Sequence, residues 1–357
     1  MTRVRARVAC TLLLLAFGAP AFADDDFAGA TIIYARGGSL YRADPRGKGE
    51  TEIAKLPAKT TVRALRTDAT GKVLLADLDG AWQWMPLDGS TTQLAPLPCA
   101  NGPAQLAEDG ACVFCRADHG SQIVNLTTGR ATVIDVPAPG ARLAGLPPDR
   151  KLVWADAGGV WTAPPARPKQ ATRVAPDAPL RGFLPSPDGT RALGIYADEV
   201  YVDTHKKAAA DVLMGFQLDG QGARRKAIET GVPVEWSHDS QWVLVQDRAT
   251  ACLVRATGGE YKCWKGYTAG SIAPDGKFAL VFGGRPGSAK KPAPPPPRAG
   301  EAEGEDLPPP PPDVDVPLPV GPLALYRVRL EGSAYTETPA LVAKIVDGAA
   351  VWVPASH

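Results

Sequence analysis

Six times the chain repeats one phrase, a tight turn followed directly by an apolar run, and the spacing of that phrase limits the possible folds sharply. The clearest copies are "SPDGTRALGI", "SHDSQWVLV" and "APDGKFALV"; looser ones are "TDATGKVLLA", "AEDGACVFC" and "PPDRKLVWA". Aligned on the glycine slot, the positions are Gly71, Gly110, Arg150, Gly189, Ser240 and Gly276, at intervals of 39, 40, 39, 51 and 36 residues. A period near 40 that carries only β signals is that of a propeller blade of four antiparallel strands. The turn chemistry explains the wording. Asp bonds the backbone two residues on, Pro presets φ, and Gly accepts the positive φ that reverses the chain.

Each unit reads as strands a to d. Seven b strands follow: Thr31–Ala35, Val73–Asp77, Cys112–Arg116, Leu152–Ala155, Ala192–Tyr196, Trp242–Gln246 and Phe278–Phe282. Most are continuous apolar runs, as expected for strands buried on both faces. The first lacks an a strand ahead of it in the mature chain. Ala349–Val353 near the C-terminus supplies one and would close the ring, removing an exposed sheet edge. The second unit has its d strand predicted at Thr91–Leu94, and the seventh at Tyr335–Ala343. The fold class is therefore all-β: a seven-bladed propeller closed by the C-terminal strand. Two b–c connections are long, residues 197–212 in the fifth unit and the Pro-rich, charged stretch 285–322 in the seventh. A composition like the latter cannot build a packed core, so a surface loop is expected.

"WSPDG" followed by an apolar strand is the signature of TolB-like, WD-type propeller repeats. Leu184–Gly189 and Trp236–Ser240 resemble it best, and the other four turns more loosely. The resemblance spans nearly all of the mature chain and implies the fold. TolB itself has six blades behind a smaller α/β domain, for which this chain has no room, so a stand-alone propeller of that repeat class is implied.

The first 23 residues read as a secretory signal peptide: Arg3, Arg5 and Arg7, an apolar core Leu12–Phe17, and an Ala21-Phe22-Ala23 cleavage site. Cys10 precedes the apolar core and is misplaced for lipoprotein cleavage. The mature chain is expected to start near Asp24, a single domain over residues 24–357, periplasmic or secreted. Cleavage removes three arginines and no acid, so the full chain's net charge of +1 becomes −2. That gives no general pull toward nucleic acid, and no later apolar run is long enough to span a bilayer.

Export permits disulfides. Cys252 and Cys263 flank "LVRATGGEYK", and a hairpin turning at Thr257-Gly258 sets them opposite each other. Cross-strand Cβ atoms lie about 4.5–5.5 Å apart, near disulfide reach. Cys112 and Cys115 have redox C-x-x-C spacing but fall in a strand, where residues three apart face opposite ways. Cys99 can pair with either of them, or all three stay free.

Catalytic signatures are missing from the sequence: it has no G-x-S-x-G and no H-E-x-x-H, and no cofactor or metal is expected. The histidines, His119, His205, His238 and His357, show no metal-ligand spacing, and His238 in its turn reads as solvated. Asp68, Asp109, Asp149, Asp188, Asp239 and Asp275 recur as turn residues. "NLT" at Asn125 fits a glycosylation sequon but falls in a predicted strand. Glu235 is the clearest acid on an inner strand. A binding or scaffold propeller of the cell envelope, with a protein or peptide partner at the channel mouth, fits these features; the alternative is a propeller lyase or hydrolase acting there. Eight residues before each turn slot, at the start of strand a, stand Arg63, Gly102, Arg142, Arg181, Val232 and Thr268. Arg63, Arg142 and Arg181 form a candidate anion site, since the guanidinium fork suits carboxylate or phosphate. The competing reading is that each arginine extends its head into water.

Overall fold

The computed structural model describes residues 29–99, 102–117, 120–135, 140–177, 179–203, 206–220, 225–228, 231–274, 276–283, 323–329 and 339–355. Residues 1–23, expected to be a signal peptide, the Pro-rich stretch 285–322, Asp275, His119, His205 and His357 lie outside them. The described residues form 28 strands, β1 to β28 in chain order, in seven four-stranded antiparallel sheets. The protein is a seven-bladed β-propeller.

Inner strands run in ring order as β4 (Val62–Thr67), β8 (Ala104–Leu106), β12 (Arg142–Ala144), β16 (Arg181–Pro185), β20 (Val232–Trp236), β24 (Tyr267–Ile272) and β28 (Ala350–Val353). Six blades take four consecutive strands each. Blade one is composite: β28 pairs with β1 (Thr31–Arg36) in the register Thr31↔Val353 to Tyr34↔Ala350. The expected closure is present, one residue shorter at its start.

The b strands are apolar on both faces because both are interior. Ile32 and Tyr34 of β1 pack toward blade seven, against Phe278 and Leu280, while Ile33 and Ala35 pack toward blade two, against Leu74. Leu74 and Leu75 of β5 (Val73–Leu78) divide in the same way between blades one and three. Leu152 and Val153 of β13 (Lys151–Asp156) do so between blades three and five. Seven such inter-blade cores replace a single central one.

The a–b turn recurs nearly atom for atom. Gly110 N donates to Ala107 O, Gly189 N to Ser186 O, Ser240 N to Ser237 O and Gly276 N to Ala273 O, each at 2.9 Å. The slot residue takes positive φ at Gly71, Gly110, Gly189, Gly276 and, without a glycine, at Ser240 (φ 57°). An L-residue there costs on the order of 1 kcal/mol. The Ser240 hydroxyl offsets this by accepting a hydrogen bond from Asp188 N of the neighbouring blade at 3.1 Å.

Several expectations are corrected. Asp68 is not equivalent to the other turn acids. It stands three residues before its glycine, in the position of Ser186 and Ser237, and its carboxylate does the work of their hydroxyls. Within the long b–c connection expected at 197–212, the described residues 197–203 and 206–212 are strand. They lengthen β17 (Arg191–Asp203) and β18 (Lys206–Gln217) into one hairpin, paired from Arg191↔Gln217 to Asp203↔Lys206. Continuing an existing ladder satisfies the backbone groups of both halves without a new core. The outer strand of blade two is β7 (Ala95–Pro96) rather than Thr91–Leu94, and an edge strand tolerates its proline. In blade seven the outer strand β27 covers Ala340–Val346, later than predicted.

The cysteines resolve cleanly. Cys252 and Cys263 are directly paired across β22 (Thr250–Arg255) and β23 (Tyr261–Lys265) and form a disulfide. Cys99 bonds Cys115, and Cys112 is a free thiol, buried on the opposite face of its strand.

Candidate functional site

Neighbouring inner strands belong to different sheets, so side chains must tie them together around the axis. Gln105 on β8 bonds Leu143 on β12 twice, donating to its carbonyl at 2.6 Å and accepting from its N–H at 2.9 Å. Gln246 accepts from Ala269 N on β24 at 2.6 Å. Glu235 on β20 accepts from Ile272 N at 2.9 Å. Trp236 Nε1 donates to Leu184 O at 3.2 Å. These contacts fix the ring that presents two polar channel ends.

The first end holds the sequence-predicted arginines. Arg142 and Arg181 open β12 and β16, and Arg63 is second in β4. Arg63 and Arg181 are exposed and Arg142 is half-buried. Arg181 Nη2 lies 2.7 Å from Asp211 Oδ2 on β18, with both side chains close to half exposed. Such a pair contributes no more than about 1 kcal/mol. Beside it, Leu180 is 54 % exposed.

The second end was not legible as a site. His238, expected in water, is largely buried, and its Nδ1 lies 2.6 Å from Glu108 Oε2. One belongs to the a–b turn of blade six, the other to that of blade three. Two blades separate them on one side of the ring and three on the other, so the contact crosses the axis. Burial lowers the His238 pKa, but the hydrogen bond and charge of Glu108, with the charges of Glu235 and Asp68, outweigh it and raise the imidazole above its ordinary value. Burial of the Glu235 carboxyl, although that residue keeps some accessible surface, pushes its pKa up against the opposing charge of Arg66. The Ser271 hydroxyl, buried nearby, favours the carboxylate but lacks the alignment of a hydrogen bond.

A signal for this pairing existed. Two residues before the turn slot the chain carries Ala69, Glu108, Pro148, Pro187, His238 and Pro274. Four are apolar. The two polar ones are oppositely charged when His238 is protonated, and they are the pair that meets.

Next to Glu108, a cavity of about 10 Å³ is enclosed by Gln105, Ala107, Leu143, Gly145, Arg150 and Pro187, room for roughly one water. Arg150 Nη2 lies 2.8 Å from Asp109 Oδ1, and its Nη1 donates to Cys112 Sγ at 3.3 Å. Burial raises the Cys112 pKa, and Arg150 only partly counters it. This environment keeps the thiol protonated rather than nucleophilic. Among the described residues, no group of three or more His, Cys, Asp or Glu side chains could hold a metal ion. None of their helices is long and apolar enough to cross a membrane.

No family model matches the chain, and no curated protein does. Solved structures similar in fold include TolB from Acinetobacter baumannii, with 13% identity, a TM-score of 0.45, and coverage of 66% of this chain and 63% of that one. The chain thus spans less than two thirds of that TolB structure. A nidogen/laminin complex aligns at 12% identity and TM-score 0.44, over 64% of this chain and 90% of that one. Kuenenia stuttgartiensis hydrazine synthase aligns at 12% identity and TM-score 0.48, over 69% and 87%.

Proposed function

We propose that the protein is an exported binding or scaffold propeller of the cell envelope, in which residues 24–357 form one domain behind a cleaved signal peptide, residues 1–23. Its partner is a protein or peptide that docks an acidic group at the channel mouth where strands β4, β12 and β16 begin. The observation that carries this reading is the position of Arg63, Arg142 and Arg181 at one end of three inner strands, in a mature chain that is slightly acidic. Arg181 there already pairs with Asp211, so an acidic partner would compete with that carboxylate at Arg181 while being drawn to Arg63 and Arg142. Arginine's planar fork would take a carboxylate or phosphate in two-point contact. The exposed Leu180 beside Arg181 offers apolar contact at the same rim. Two disulfides accord with an oxidising compartment.

The test is fluorescence anisotropy with labelled peptides rich in Asp and Glu, run against charge-reversed peptides. Acidic peptides should bind, binding should weaken with salt, and Arg63→Ala/Arg142→Ala/Arg181→Ala should weaken it at least tenfold with an unchanged melting curve. Equal binding of both peptide sets, or full binding by the folded triple variant, would overturn the proposal.

A further inference from the structure

We propose that His238 and Glu108 form a proton-operated latch across the channel axis, closed while His238 holds its second proton and released when it loses it. The latch lies at the opposite end from the arginines and stands whether or not those bind an anion.

The geometry supplies the first argument. The residues occupy the same slot of two a–b turns, and their side chains meet 2.6 Å apart across the ring. While they touch, this end of the channel is bridged. The turns that carry them are short hydrogen-bonded loops at the strand ends, held by Gly110 N to Ala107 O and Ser240 N to Ser237 O. The bridge therefore joins two loops that have no backbone ladder in common.

Charge supplies the second argument. His238 faces Glu108, Glu235 and Asp68, and Glu235 in turn faces Arg66. Arg150 lines the cavity beside Glu108, where it pairs with Asp109. When His238 becomes neutral, the cation in direct contact with Glu108 is lost and the attraction across the axis falls. The Asp68 carboxylate is fully engaged by its own turn and cannot move away. Deprotonation also takes the positive charge off the donor side of the hydrogen bond, leaving only the carboxylate charged and the contact weaker. Both changes favour separation of the turns.

The sign follows from linkage. His238 is raised in the folded protein, so the latch is at full strength below the unfolded value of about 6.5 and weakens as pH climbs through the higher folded value. Each unit by which the latched value exceeds that of the open turn is a factor of about ten in the latch equilibrium.

Hydrogen exchange followed by mass spectrometry reads this directly. Peptides covering 104–110 and 234–240 should lose protection, after correction for intrinsic exchange, as pH rises from about 6 to 9, by about tenfold per unit of raised His238 pKa. Peptides from β1 and β5 should not change. In His238→Gln, which keeps a donor but does not titrate, the pH dependence should vanish. In Glu108→Gln the His238 imidazole resonances should titrate at lower pH than in the wild type. A flat wild-type profile, a pH response that survives His238→Gln, or an unmoved His238 midpoint in Glu108→Gln would each overturn the latch.

Discussion

Replacing Asp68 by Ala should cost about 3–5 kcal/mol, about twice the loss from removing the Ser186 hydroxyl, which occupies the same position of another turn. Asp68 is only 1 % exposed. Its carboxylate accepts from Thr70 N at 3.0 Å, Lys72 N at 2.8 Å and Val73 N at 2.7 Å, and from the Thr70 hydroxyl. A hydrogen bond to a charged group contributes about 1.5–3 kcal/mol. Val73 N is buried and would be left with no acceptor, so its full loss counts. Thr70 and Lys72 are exposed residues, and water replaces part of their loss. Ser186 Oγ accepts one backbone bond, from Arg191 N at 3.0 Å, and donates to Asp188 Oδ1 at 2.6 Å; the Asp188 carboxylate is exposed enough for water to replace its part, so the loss should be about 1–2 kcal/mol. Urea denaturation should rank Asp68→Ala well below Ser186→Ala. With an unfolding entropy of about 2.1 cal/mol/K per residue over a domain of this size, Asp68→Ala should also lower the melting temperature by roughly 4–7 °C. Equal losses in the two variants would show that the carboxylate carries no more of the turn than a hydroxyl does.

Two further tests address ring closure and the outer hairpin. Trp352 on β28 is 2 % exposed and packs on Phe278 with ring centroids 6.3 Å apart, so Trp352→Ala should lose about 3–5 kcal/mol; a loss under about 1 kcal/mol would mean that β28 does not close the ring in solution. The Cys252–Cys263 bridge closes a separation of 11 residues, so Cys252→Ala/Cys263→Ala should lose about 2–3 kcal/mol, and non-reduced peptide mapping that finds both thiols free in the exported protein would refute the bridge.

The sequence by itself determined the architecture. A turn repeated every 40 residues fixes strand lengths, and b strands apolar on both faces leave only an arrangement in which each sheet is packed between two others. It also determined the Cys252–Cys263 pair, because a symmetric hairpin leaves one register, and the closing strand, because blade one needs an a strand. Local chemistry sufficed in each case. Tertiary structure alone decided what depends on distance around the ring. Turn alignment cannot show that Asp68 does a serine's work, since that depends on which N–H groups its carboxylate reaches. It cannot choose between Cys112 and Cys115 for Cys99, since the choice depends on which strand face meets the preceding blade. Nor can it bring Glu108 to His238, 130 residues apart. The two turns share no strand pairing, and they meet because closing seven blades into a ring directs the same slot of each turn toward one axis.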